Sequence, residues 1–192
     1  PVAWGLTDVT ENFKYNASSP SWSDDSKSIY FSSLAEGLQG IFVAAGPDLN
    51  LPEGAMAKPA PWTIERLTEE DRWNDFGTPY HIEYNDDGMT MYTTWCSMDF
   101  PTELVAVRRT GKGNEYTPVT DENGHILSQL AGHETEARYV KTVDGKDMLT
   151  WVLYPPQFDP SNKYPAITIC LGGPQGTLSQ GWSYRWNYRL MA

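Results

Sequence analysis

The feature that most constrains this chain lies late in it, where the hydrophobic pattern changes period. Residues 164–171, Tyr-Pro-Ala-Ile-Thr-Ile-Cys-Leu, are almost continuously apolar. Strands covered on both faces, as in a parallel sheet, read this way. The run stops at Gly172-Gly173-Pro174, a tight loop, and Trp182, Trp186 and Leu190 then recur at helical spacing. Buried strand, glycine loop and helix form the opening of an α/β sheet. One such strand cannot stand without parallel neighbours, so this order predicts an incomplete piece of a larger protein.

Upstream the period is two. Residues 29–33 and 40–44 read as strands after a polar turn at 24–27, with Trp22 before it. The pattern returns at 79–84, 89–95 and 103–107, around the turn Asn85-Asp86-Asp87-Gly88. Asp24 matches Asp86, Ile29 matches Met91 and Tyr30 matches Tyr92, each at an offset of 62. Strand, Asp-rich turn, strand, longer loop, strand is the order of a propeller blade, whose repeats usually run about 40–50 residues. The Pro-rich stretch 46–62 accounts for the excess as an inserted loop. Asp-Gly hairpins serve every all-β fold, so a sandwich competes with a propeller on this pattern alone. Residues 114–131 read as a final turn and connector. Residues 139–143 and 148–154 flank Asp144-Gly145 as a further hairpin, ended by Pro155-Pro156.

Charge divides the chain at the same place. Residues 1–132 hold eight Lys/Arg against twenty Asp/Glu, a net of −12, whereas 133–192 hold six against five, a net of +1. The acidic first unit argues against non-specific nucleic-acid binding and against anionic membrane surfaces. No transmembrane run and no signal peptide occur in these residues. Cys96 and Cys170 have no metal-ligand spacing and read as two free thiols.

Few motifs carry chemistry. The Gly-rich turn after a strand suits an anion, since backbone N–H groups there point at negative charge. It is not a G-x-G-x-x-G fingerprint, so no nucleotide or other cofactor is expected, and an oxyanion role for Leu171, Gly172 and Gly173 fits better. None of the thirteen serines sits in a G-x-S-x-G elbow. His81, His125 and His133 read as surface or structural residues. Glu69-Glu70-Asp71 is the densest acidic cluster and reads as a solvated loop face, with Glu69 and Glu70 the candidates for gripping a substrate ammonium. Trp62, Trp73 and Trp95 read as core rather than a sugar site.

From residue 140 onward the text becomes specific. Val143-Asp-Gly-Lys, Leu149-Thr-Trp-Val-Leu-Tyr-Pro155, Phe158-Asp-Pro160, Lys163-Tyr-Pro165 and Gly172-Gly-Pro-Gln175 follow at close intervals. Together they resemble the entry to the catalytic domain of prolyl oligopeptidase-type serine peptidases, in the dipeptidyl-peptidase and acylaminoacyl-peptidase branches. The resemblance implies that residues 1–132 are the last blades of a β-propeller and 133–192 the start of an α/β-hydrolase domain. It implies a secreted or periplasmic enzyme, possible as a homo-oligomer, that removes dipeptides or short units from peptides. Its Ser-Asp-His triad would fall beyond Ala192, leaving these residues inactive alone. Many members carry a Tyr or His just before the Gly-Gly-Pro; Leu171 has no such donor. Two alternatives stay open: a non-catalytic propeller binding module, and an esterase-type α/β-hydrolase.

Overall fold

A computed structural model describes residues 7–46, 61–69, 73–86, 88–173 and 176–192. The expected inserted loop at 46–62 lies largely outside these residues. Strands β1 (Ala17–Trp22), β2 (Ser28–Ala35), β3 (Leu38–Ala45) and β4 (Thr63–Arg66) form one antiparallel meander in sequential order. A second sheet joins β5 (Asp75–Phe76), β6 (His81–Asn85), β7 (Gly88–Cys96), β8 (Glu103–Thr110) and β9 (Gly113–Pro118), with β5 and β6 both pairing β7. A four-residue helix, α1 (Gly124–Leu127), interrupts the connector. The hairpin β10 (Thr135–Lys141) and β11 (Asp147–Leu153) follows, and α2 (Tyr188–Met191) is a last helical turn. The chain is therefore mostly β, in open sheets.

Turn chemistry sets the registers. In the first sheet Ala35 pairs with Leu38, leaving Glu36 and Gly37 at φ +51° and +83°. Both central residues are left-handed, the turn whose twist matches paired strands. Tyr15 and Lys14 hold Glu36 in that strained conformation by donating to its carboxylate. Ahead of β2, the Asp25 carboxylate accepts from Ser23 Oγ at 2.7 Å and from the Lys27 N–H at 3.1 Å, the Asx geometry that tightens polar turns.

The repeat legible in the sequence is also a repeat of pairing. Ile29 lies opposite Ala44 on β3, and Met91 lies opposite Val107 on β8. Subtracting gives an offset of 62 for the first pair of equivalents and 63 for the second. Equivalent residues face equivalent ways, because a strand's faces alternate strictly. Tyr30, Ile41, Leu67, Phe76, Met91, Val105 and Val107 make one buried core. Phe31, Ala35, Phe42 and Ala44 make a second, covered by Val9, Phe13, Tyr15 and Trp62. The β2 run Tyr30 to Ser33 is buried at four consecutive positions because both faces of the first sheet are covered.

Three expectations need correction. Residues 114–131 do not begin as connector: Asn114 and Tyr116 belong to β9, which pairs β8 on one side only, so its apolar signal is sparse. Residues 164–171 are not a buried strand. They pair with no described residue, and Ile167, Ile169 and Leu171 are 69%, 42% and 51% exposed. A ladder strand needs a neighbour for its N–H and C=O groups, and none of the described residues lies alongside as one. Residues 182–190 do not make a helix; only the last turn forms, with Asn187 accepting from the Leu190 N–H as its N-cap.

The connector is stapled to β8 by one carboxylate. Glu103 accepts from Thr120 Oγ1, from the Glu122 N–H at 3.0 Å and from Asn123 Nδ2 at 3.3 Å. These bonds, that of Thr120 first, hold its carboxyl below the usual range. The lowered group stabilises the fold above the ordinary Glu value, and that contribution is lost as pH falls through the lowered one. Replacing Glu103 by Gln should cost about 1–2 kcal/mol at pH 7, with the gap from the parent chain closing in acid; urea unfolding at both pH values measures it. In the core, Ile41→Ala should cost about 2–5 kcal/mol. The same truncation at Leu34, 37% exposed, should cost less than about 1 kcal/mol by urea midpoints.

Candidate functional site

The glycine loop is reached through β11 and the extended stretch after it. Tyr154, Phe158 and Tyr164 pack ring on ring there, with centroids 4.5 and 5.1 Å apart. Leu171 is half exposed, and its side chain offers no hydrogen-bond donor. Gly172 and Gly173 are exposed, and a Cβ at either would meet nothing within 4 Å. Gly173 has φ +87°, a conformation glycine adopts without steric cost. Gly176 is different. A Cβ there would come within 2.7 Å of Leu171 Cδ2 and 2.9 Å of the Gly172 carbonyl oxygen. The chain doubles back on itself at Gly176 and leaves the two preceding glycines open.

Beyond the loop, the chain is anchored to the sheets. Trp151 Nε1 on β11 donates to the Leu178 carbonyl at 3.1 Å. Ser179 Oγ donates to the Asp75 carboxylate at 2.5 Å. Burial pushes the Cys96 thiol up, against a smaller lowering by the backbone N–H of Trp182, which makes Cys96 a poor nucleophile. Arg189 on α2 donates to the carbonyls of Asp99 and Ala131 at 3.0 and 3.1 Å. The Asp99 carboxylate also lies 3.2 Å from Nε2 of His133, whose side chain is buried. Neither ring nitrogen of His133 is aligned for a hydrogen bond among the described residues.

Among the described residues the two sets of candidates from the sequence do not meet. Glu69 accepts from Tyr116 Oη and from the Asn114 N–H at 3.0 Å, which ties the end of the first sheet to β9. Burial acts to raise its pKa, and the bonds from Tyr116 and Asn114 outweigh it, so the carboxyl stays below its usual range. Its described partners all lie on β9 and none in the glycine loop. Glu70 lies outside the described residues. The tryptophans are dispersed: Trp62 covers the second core, Trp95 packs on the first, and Trp73 meets Trp151 edge to face at 5.6 Å. His81 stacks on Tyr92 and His125 sits in α1. Among the described residues no group of three or more His, Cys, Asp or Glu is placed to hold a metal ion, and no helix is long and apolar enough to cross a membrane.

Sequence reasoning missed Asp75, Ser179 and Gly176. Asp75 carried no local signal because its partners are 36 and 104 residues away. Gly176 could have been found from the spacing of three glycines within five residues, the composition of a chain that turns back on itself.

No protein-family model matches the chain. Proteins named dipeptidyl-peptidase 5 do. That of Porphyromonas gingivalis is 38% identical over 186 residues, covering 97% of this chain and 24% of the relative. That of Porphyromonas endodontalis is 42% identical over 129 residues, 67% of this chain and 17% of the relative. An Aspergillus fumigatus dipeptidyl-peptidase 5 is 31% identical over 105 residues, 55% of this chain and 14% of the relative. Among solved structures, the acylaminoacyl peptidase of Pyrococcus horikoshii superposes with a TM-score of 0.62, over 93% of this chain and 24% of that one, at 15% identity. That likeness shows the fold. The chain spans about a quarter or less of the length of the relatives it matches. With 38% identity along nearly all of its residues, the chain belongs to the prolyl oligopeptidase-type peptidase family.

Proposed function

We propose that these residues are part of a serine peptidase that removes dipeptides or short units from peptides. The identity that runs through both halves of the chain to proteins named dipeptidyl-peptidase 5 carries this reading. In it, residues 1–132 are the last blades of a β-propeller. The repeated register of two stacked antiparallel sheets supports that assignment. Residues 133–192 open an α/β-hydrolase domain. The exposed apolar stretch 164–171 is then a parallel strand whose neighbours belong to the rest of that sheet, which accounts for both its composition and its exposure.

Within that domain the glycine loop is the threshold of the active site. Gly172 and Gly173 present backbone to solvent with no side chain in the way, the setting in which N–H groups receive a developing oxyanion. Leu171 contributes packing against Gly176 and no proton. The Ser-Asp-His triad is assigned to residues outside this chain, and the enzyme is assigned outside the cytoplasm, secreted or periplasmic.

Two measurements test the reading. A serine-directed fluorophosphonate probe should leave the 192-residue chain unlabelled; specific labelling would mean that a nucleophile lies within it. The longer parent protein should release dipeptides from aminoacyl-peptide amides faster than it cleaves short acyl esters, and the opposite order would favour an esterase. In that parent, Gly173→Val forces a branched side chain into a left-handed backbone. It should lower kcat by about 10-fold or more with little change in KM, as a displaced oxyanion donor does.

A further inference from the structure

Among the described residues, the interior carboxylate of Asp75 joins three distant pieces of chain, its own and two others. It opens β5 and is 8% exposed. Its Oδ1 accepts the N–H of Gln39 on β3 at 2.9 Å. Its Oδ2 accepts the Ser179 hydroxyl at 2.5 Å, and the backbone N–H of Gln180 also faces the carboxylate. Gln39 belongs to the first sheet, Asp75 to the second, and Ser179 and Gln180 to the arm that leaves the glycine loop. Burial holds this carboxyl above its usual range, and the donors from Ser179, Gln39 and Gln180 offset that only in part. A buried charge persists only where such donors satisfy it.

The arm passes close to the carboxylate for several residues. A Cβ at Gly181 would lie 3.5 Å from Asp75 Oδ2, and the Gln180 side chain is 2% exposed. Upstream, Gly176 packs directly on Leu171 and Gly172. The arm is thus pressed against the glycine loop at one end and held by Asp75 three residues later.

We propose that Asp75 is a positioning residue: through Ser179 and Gln180 it fixes the arm on which the Gly172–Gly173 loop rests, so the two sheets determine where that loop sits. The catalytic consequence rests on the proposed peptidase reading; the positioning itself does not. The role needs a carboxylate. Its two oxygens only accept, whereas an Asn amide places N–H donors on one side. With its Oδ1 kept toward the Gln39 N–H, an Asn here turns amide donors toward the Gln180 N–H, which can only donate, and reverses the bond to Ser179, whose hydroxyl would have to accept.

Hydrogen exchange on the 192-residue chain, as the parent, Asp75→Asn, Ser179→Ala and both together, tests it. Asp75→Asn should speed exchange at residues 178–182 by about tenfold or more, with β7 and β8 amides within about threefold. Ser179→Ala should act on the same amides more weakly, and the double variant should be no worse than Asp75→Asn. Unchanged exchange at 178–182 in both variants, equal losses throughout the chain, or additive effects in the double variant each overturn the proposal. Should Asp75→Asn fail to fold, Ser179→Ala decides alone: no faster exchange at 178–182 overturns it. In the longer parent, Ser179→Ala should lower kcat for dipeptide release several-fold with KM kept. If no dipeptide release exists to be lowered while the exchange pattern holds, the peptidase reading falls and the positioning role stands.

Discussion

The structure depends on one act of burial, the face of the first sheet closing on the face of the second. Tyr30 and Ile41 from one side meet Met91, Val105 and Val107 from the other, with Leu67 and Phe76 filling the margin. Both sheets contribute to this one core, and separating them would return its apolar side chains to water. Leu67 is itself set by the first sheet, continuing the β3–β4 ladder by donating its N–H to the Ile41 carbonyl at 2.8 Å. Everything at the edges of the sheets, the β10–β11 hairpin and the glycine loop included, takes its position from that interface.

At those edges carboxylates do what apolar residues do inside. Glu36 fastens the segment before β1 to the β2–β3 turn, Glu69 fastens the first sheet to β9, and Glu103 fastens the connector to β8. Each accepts two or more donors, and each is held below the usual carboxylate range. The strongly acidic first unit is therefore more than a solvated surface: part of its charge is spent on local fastening, through two or three hydrogen bonds each from hydroxyls, backbone N–H groups, a lysine and a side-chain amide.

How much of this was legible depended on whether the information was local. β2, β3, β7 and β8 were readable because Ile29, Phe31, Ile41, Met91, Val105 and Val107 alternate at period two between recognisable turns. β1 was not, since Ala17, Ser18, Ser19, Pro20 and Ser21 carry no apolar alternation; its place comes from pairing with β2. β9 escaped for the same reason at an outer edge. The run 164–171 was read correctly as apolar and wrongly as buried here, because burial belongs to neighbours and not to the segment. The glycine loop was visible as composition. What holds it was not, for Asp75 looked like one acid among many, and only the fold brings Ser179 to it.

The separation between those two residues has a further meaning. The sheets are meanders, each strand pairing mainly with one close in sequence, so nearly all of their contacts close small loops and suffer little entropy loss in forming. The Ser179–Asp75 contact closes a loop of 104 residues, and its companions, Arg189 on Asp99 and Trp73 on Trp151, close loops nearly as long. Order should thus arrive at the glycine loop last during folding and depart from it first on warming. The backbone proposed to receive the oxyanion is thus one whose order is borrowed from structure laid down a hundred residues earlier.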